Sequence, residues 1–145
     1  MIENKNFVIT QQNVELYAGK LAEWIKNKVQ NAGASGVVLG MSGGVDCSVV
    51  ARLCQIADVS VDLILMPYGD NMERSGSMKR SMELINKFSF RYHIHDIQPA
   101  VDAMFLEGCK SENINLAKAN LRPRVRTAYS YQFAQAHRKT GCWYY

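Results

Sequence analysis

Short apolar runs alternate along this chain with longer segments whose apolar residues recur every three or four positions. That alternation limits the possible folds more than any other feature, because the two periods belong to strands and helices respectively. Val14, Tyr17, Leu21, Trp24, Ile25 and Val29 keep helical spacing, so Gln11 to Gln30 reads as an amphipathic helix facing a core with that stripe. Asn31-Ala-Gly33 ends it, with glycine available for the left-handed cap. Gly36-Val-Val-Leu-Gly-Met41 is the kind of apolar run a buried parallel strand shows. Val45 to Ala57 returns to helical spacing through Val49, Val50, Leu53 and Ile56. Val59 to Met66 reads as a second strand, stopped by Pro67 and Gly69. Ser77 to Phe88 reads as a helix with Met78, Met82, Ile85 and Phe88 inward, and Phe90 to Ile97 alternates as a third strand.

Pro99 suits the first turn of a short helix from Pro99 to Glu107, closed by Gly108. From about Asn115 to Thr140 the chain reads as mostly helical, with Pro123 beginning the main part or kinking it. Gly141-Cys-Trp-Tyr-Tyr145 reads as the start of a fourth strand. Strands alternating with helices of this length make βαβ units and a parallel sheet, with right-handed crossovers placing helices on both faces. The expected fold class is therefore α/β, a Rossmann-like parallel sheet. At 145 residues the expected organisation is one domain over 1–145, with no internal repeat or linker.

Composition excludes more than it assigns. A hydrophobic share of 48% with 21% charged residues is ordinary for a soluble domain, and no apolar run approaches the roughly 18 residues of a membrane helix. Met1 to Thr10 lacks the apolar core of a signal peptide, so a cytoplasmic protein with no membrane partner is expected. The net charge of +4 accommodates a nucleotide or RNA without demanding either, and a nucleic-acid partner is not expected. Much of the excess sits in Arg122, Arg124, Arg126, Arg138 and Lys139. The four cysteines, at 47, 54, 109 and 142, form no C-x-x-C pair, which points to reduced packing thiols rather than zinc or disulfides.

Chemistry concentrates in Gly40-Met-Ser-Gly-Gly-Val-Asp-Cys-Ser48, between a buried strand and a helix. Backbone N–H groups of such a turn point outward with the helix dipole behind them and make an anion site. Gly43 and Gly44 let the main chain approach phosphate oxygens, and the hydroxyls of Ser42 and Ser48 can add hydrogen bonds. Asp46 is an odd neighbour for phosphate unless a divalent cation lies between them. The G-x-x-x-x-G-K-[ST] spacing of a Walker loop is absent, as is G-x-G-x-x-G. Instead the segment resembles the S-G-G-x-D-[S] pattern of the PP-loop ATP pyrophosphatases, which cleave ATP between its α and β phosphates. Cys47 stands where that pattern has serine, and Ser48 points about 100° away around the helix.

Within that superfamily the chain resembles ammonia-dependent NAD synthetase. The residues carrying the resemblance are Gly36 to Asp46, Leu65-Met-Pro-Tyr-Gly69, His95-Asp-Ile-Gln-Pro-Ala-Val-Asp102 and Ala119-Asn-Leu-Arg-Pro-Arg-Val-Arg-Thr127. The resemblance implies an adenine nucleotide alpha hydrolase-like fold. It implies adenylation of deamido-NAD by ATP, then amidation by ammonia to give NAD, AMP and pyrophosphate. It places Gly40, Met41, Ser42, Gly43, Gly44, Val45, Asp46 and Cys47 around the ATP pyrophosphate, with Ser42 and Asp46 the catalytic members and Asp46 on Mg²⁺. Met66 falls beside the adenosine, and Arg124, Asn120 and Tyr131 toward deamido-NAD. The i, i+2, i+4 spacing sets Arg122 and Arg126 together and Arg124 on another face, so only one or two of the three arginines are expected to be functional. The long C-terminal helix is implied as a homodimer contact.

The family pattern continues into a G-T-G/D-x-x-E segment and a later lysine that are not found here, so the resemblance covers roughly half of a usual synthetase domain and the fold is expected to be incomplete at its C-terminal side. With no glutaminase-like portion in this sequence, free ammonia is the expected nitrogen source. A non-catalytic nucleotide-binding remnant and a tRNA-thiolating PP-loop enzyme are the alternative readings. The resemblance implies a sheet with the first strand central, so Gly141–Tyr145 is expected either to form a short edge strand beside Val37–Met41 or to pack Trp143 and Tyr145 across a dimer contact.

Overall fold

The computed structural model of the chain describes residues 10–11, 13–69, 76–105 and 114–142. The elements run α1 (Val14–Asn31), β1 (Val37–Gly40), α2 (Val45–Ile56), β2 (Val61–Leu65), α3 (Gly76–Phe88), β3 (Arg91–Ile94), α4 (Gln98–Ala103), α5 (Ile114–Ala136) and β4 (Thr140–Cys142). The four strands are parallel in the order β3-β2-β1-β4. The expected α/β parallel sheet is the one observed. The fourth strand forms as a short edge strand, opening one residue earlier than expected and pairing Thr140 with Val37 and Cys142 with Leu39. Trp143 and Tyr145 lie outside the described residues, as do Glu107 and Gly108 of the expected helix end. No helix among the described residues is long and apolar enough to cross a membrane.

Strand alternation divides the core in two. Val37, Leu39 and Met41 of the first strand and Val61, Leu63 and Leu65 of the second face Ala51 and Cys54 of α2, Val29 of α1 and Ile85 of α3. Val38, Ile64 and Met66 face the other way, against Ile97 and Val101 beside α4 and Val125 and Ala134 of α5. Both faces of the central strands are thus covered, which is why they read as unbroken apolar runs. β3, at the sheet edge, is exposed along its length and is shorter than the stretch Phe90–Ile97.

The stripe expected to bury α1 is partly turned outward. Val14, Leu21 and Trp24 are each more than two-fifths exposed, while Ala22 and Val29 are buried and Ile25 packs against the core. The helix seats on Ala22, Ile25 and Val29, at i, i+3 and i+7, and Ile25 and Val29 join the cluster that holds Ala51 and Cys54 of α2. Val49 and Ile56 of α2 are likewise about half exposed. α5 runs unbroken through Pro123 and stops at Ala136, short of the expected Thr140. Proline cannot donate to the carbonyl one turn back. On the following turn Thr127 Oγ1 donates to the Pro123 carbonyl at 3.0 Å.

Asp62 sits in this frame as a buried carboxylate, 5% exposed. Lys139, just before β4, reaches it with its ammonium, and Arg91 Nε approaches Oδ1 from the solvent side at 3.2 Å. Two further bonds fasten the fourth strand, Ser35 N–H to the Arg138 carbonyl and Thr140 N–H to the Gly36 carbonyl, each 2.9 Å.

Candidate functional site

The turn between β1 and α2 is built from its two ends. Met41 N–H donates to the Ile64 carbonyl at 2.8 Å and ends the ladder, and Gly44 is the N-cap of α2, with extended backbone and no side-chain cap. The amides of Val45, Asp46 and Cys47, the first three of the helix, have no acceptor among the described residues. A helix end leaves those donors unpaired by construction. With the helix dipole added, they form an anion-binding surface at the carboxyl end of a central strand.

Gly43 sets the approach. Its φ is +73°, and a Cβ there would lie 2.2 Å from the Ser77 carbonyl oxygen and 3.0 Å from Ser81 Oγ. The turn therefore rests directly on the first turn of α3, where Ser81 Oγ donates to the Ser77 carbonyl at 3.0 Å. Gly44 is less restricted, since a Cβ would meet only Ser42 Oγ, at 3.3 Å.

Cys47 is buried, and its thiol donates to the Gly44 carbonyl at 3.2 Å while lying 3.3 Å from Ser42 Oγ. Ser42 Oγ in turn accepts from Gly44 N–H at 3.3 Å. The thiol thus braces the turn from within. Ser48 Oγ donates back to the same Gly44 carbonyl, at 2.7 Å, which agrees with its not replacing the residue before it. Cys47→Ser preserves the donor at nearly the same size. Urea denaturation is expected to show a stability change below about 1 kcal/mol, the scale of one neutral hydrogen bond.

A cavity of about 170 Å³ opens beside the turn, lined on one side by Met41 and Ser42 and on the others by Met66, Ser77, Ser81 and Arg126. Of the residues singled out by sequence, those from Gly40 to Cys47 form the turn, and Met66 lines the cavity from the end of β2. Arg126 Nε donates to the Met66 carbonyl at 3.0 Å, and the Arg122 guanidinium lies over the Tyr68 ring at 3.9 Å. These two arginines face the site together because they are one helical turn apart. Arg124 is exposed on another face of α5 and turns a guanidinium N–H onto the Asn120 carbonyl of its own helix. Asn120 and Tyr131 are exposed as well. The structure does not bring these three to the cavity. Arg126, Ser77 and Ser81 do reach it, and their sequence spacing carries no sign of that, since the contacts join distant elements.

Near the mouth, Asp102 accepts from Lys118 Nζ at 3.1 Å and from Gln98 Nε2 and Tyr68 Oη, each at 3.3 Å. The Lys118 hydrogen bond, ahead of the others, holds its carboxyl below the usual carboxylate range. A depressed carboxyl stabilises the fold above its unfolded-state pKa, and that contribution disappears as pH falls through the folded one. The group is exposed, so solvent screens the pair and Asp102→Asn is expected to leave the thermal midpoint at neutral pH nearly unchanged.

An open parallel sheet with its crevice at the strand carboxyl ends, and a glycine turn there, defines a doubly wound α/β domain with a built anion site. Comparison with known proteins takes this further. The chain belongs to the NAD synthase family, whose model matches residues 17–140. It is 37% identical over 125 residues to the NH(3)-dependent NAD(+) synthetase of Mycoplasmopsis pulmonis, covering 84% of this chain and 46% of that protein. The structure of the NH3-dependent NAD synthetase of Campylobacter jejuni superposes with a TM-score of 0.77 at 29% identity, covering 88% of this chain and 54% of that one. The NMN synthetase of Francisella tularensis superposes with a TM-score of 0.76 at 30% identity, over 88% and 52%. The chain spans about half the length of the relatives it matches.

Proposed function

We propose that this chain carries the ATP-binding part of an ammonia-dependent NAD synthetase. The observation behind this reading is the turn at Gly43–Cys47, with three unpaired amides at a helix N-terminus and a glycine that no other residue can replace without a clash. In the proposed reaction a carboxylate oxygen of deamido-NAD attacks the α-phosphorus of ATP. The bond to the bridging oxygen breaks, and pyrophosphate leaves with the electron pair. Ammonia then attacks the activated carbonyl carbon, loses a proton, and displaces AMP to leave the amide of NAD. The amides of Val45, Asp46 and Cys47 stabilise charge on the departing pyrophosphate, and Ser42 places a hydroxyl beside them. Met66 and its neighbours in the cavity take the adenosine.

Asp46 fits a magnesium ion. Its exposed carboxylate stands in the first turn of α2, and no cluster of three metal-binding side chains gathers among the described residues. One carboxylate plus phosphate oxygens and water is the usual magnesium arrangement, in place of an all-protein cage. When bound, the ion would neutralise phosphate charge.

Asn120, Arg124 and Tyr131 sit at i, i+4 and i+11, within one face of α5, and their exposure suits a ligand held against a second protomer. We therefore place deamido-NAD there, in a cytoplasmic homodimer built partly on α5. Arg124→Gln is expected to weaken deamido-NAD binding about tenfold or more, the loss of a charge-assisted contact, with ATP binding unchanged; calorimetry with each ligand separates the two.

Purified chain given ATP, Mg²⁺, deamido-NAD and ammonia tests the reaction. Equal amounts of AMP and NAD, lost in Asp46→Ala, are the expected products. Release of ADP in place of AMP would place cleavage at the wrong bond and sink the proposal. Because the chain spans about half of its relatives, a second reading holds that it binds ATP without turnover. Nucleotide binding with no product at all would favour that one. Offering the deamidated mononucleotide beside the dinucleotide decides which substrate is preferred, a choice raised by the Francisella tularensis likeness.

A further inference from the structure

A second cavity, of about 350 Å³, lies on the other side of the turn from the adenosine cavity, between α2 and α3. Gly43, Gly44 and Val45 form one wall, and Ser48, Val49, Arg52 and Arg80 the rest. Arg80 comes from α3, outside the turn. Its Nε donates to the Gly43 carbonyl at 3.1 Å, which fixes the guanidinium to the rim of the turn. Its two remaining nitrogens have no hydrogen-bond or ion-pair partner among the described residues. Arg52, across the cavity, is already engaged with Gln55 and with the Phe88 ring. One anchored guanidinium, its other donors unpaired among the described residues, therefore shares a solvent-open space with the backbone that meets the anion.

We infer that Arg80 is a phosphate-binding residue, contacting the end of a polyphosphate that extends past the turn amides into the cavity between α2 and α3. The inference rests on the reading of the turn as a pyrophosphate site. Three features carry it. The carbonyl of Gly43 is an acceptor and so cannot meet phosphate, and Arg80 covers it with a donor that reverses its sign. A guanidinium held through Nε presents a planar pair of N–H groups, unpaired among the described residues, in the geometry that pairs with two phosphate oxygens. Finally, the anchor is set before the ligand arrives, so less side-chain freedom is lost on binding. A single phosphate sits on the turn amides alone, whereas pyrophosphate has a second group to reach Arg80.

Calorimetric titration of the chain with magnesium pyrophosphate and, separately, with inorganic phosphate tests this. Arg80→Gln is expected to weaken pyrophosphate binding about tenfold or more, the loss of a charge-assisted contact, and phosphate binding less than about twofold. Lys79→Gln removes the same charge from an adjacent exposed position, and is expected to change both by less than about twofold, the scale of a solvent-screened charge. Thermal unfolding without ligand checks that Arg80→Gln folds, and Arg80→Lys, which keeps the charge but not the fork, is expected to recover only part of the loss. Equal loss for both anions would show that Arg80 acts only through Gly43 and would overturn the direct contact, as would an unchanged Arg80→Gln. If the unaltered chain binds neither anion, the reading of the turn itself falls and this inference with it.

Discussion

Gly43→Ala is expected to remove measurable binding of ATP and pyrophosphate, a loss of at least about a hundredfold. Two costs combine. The backbone at this position has φ of +73°, where an alanine is disfavoured by about 1–2 kcal/mol. The added methyl would also stand 2.2 Å from the Ser77 carbonyl, a backbone atom in the first turn of α3 that cannot swing aside. Relief comes only from lifting the turn off α3, which moves the amides of Val45 to Cys47 away from their common focus. A 1 Å misplacement in such a site can cost about a hundredfold. Gly44→Ala is the matched control: its methyl meets only the Ser42 hydroxyl, at 3.3 Å, and its φ of −81° is ordinary. Equilibrium dialysis with labelled ATP should separate the two variants clearly.

Lys139→Met is expected to cost about 3 kcal/mol of folding stability, read from urea denaturation midpoints, because it leaves the buried Asp62 carboxylate short of its inner partner. The two side chains are only 8% and 7% exposed, whereas Arg91 approaches from a side chain that is 66% exposed and well solvated. Solvation lets Arg91 offset only a fraction of the loss. A change of that size matters against the 5–15 kcal/mol that typical domains possess. It should also loosen β4, whose first residue follows Lys139 directly. Replacing both partners, as Asp62→Leu with Lys139→Met, is expected to recover most of the stability, since a buried pair exchanged for apolar side chains is often neutral. If the double variant were no better than the single one, the buried charge would not be the cause.

These contacts mark the boundary of what sequence discloses. The order of strands and helices is legible because the two hydrophobic periods differ, and the central strands, covered on both faces, have no polar residue to confuse the pattern except Asp62. That exception is explained by Lys139 and Arg91, both many residues away, so these pairs are invisible to local reading. The stripe on α1 misleads for a related reason. Periodicity locates an apolar face but not which part of it docks, and the buried part is centred on Ala22, Ile25 and Val29. At the site, the turn is legible since its chemistry lies within nine consecutive residues. The walls supplied by Ser77, Arg80 and Ser81 of α3 and by Arg126 of α5 are not, because these helices are distant from the turn in sequence. Helical geometry separates Arg126 from Arg124, yet spacing alone gives no reason to prefer the face that meets Met66.

On the proposed function, the backbone of Gly43–Cys47 binds the pyrophosphate portion of ATP. Backbone amide NMR of the labelled chain, titrated with magnesium pyrophosphate, tests it residue by residue. Saturable shifts concentrated at Gly44, Val45, Asp46 and Cys47 are expected, reproduced by ATP and absent in Gly43→Ala. Shifts confined to other surfaces, or none at all while the fold remains intact, would contradict it.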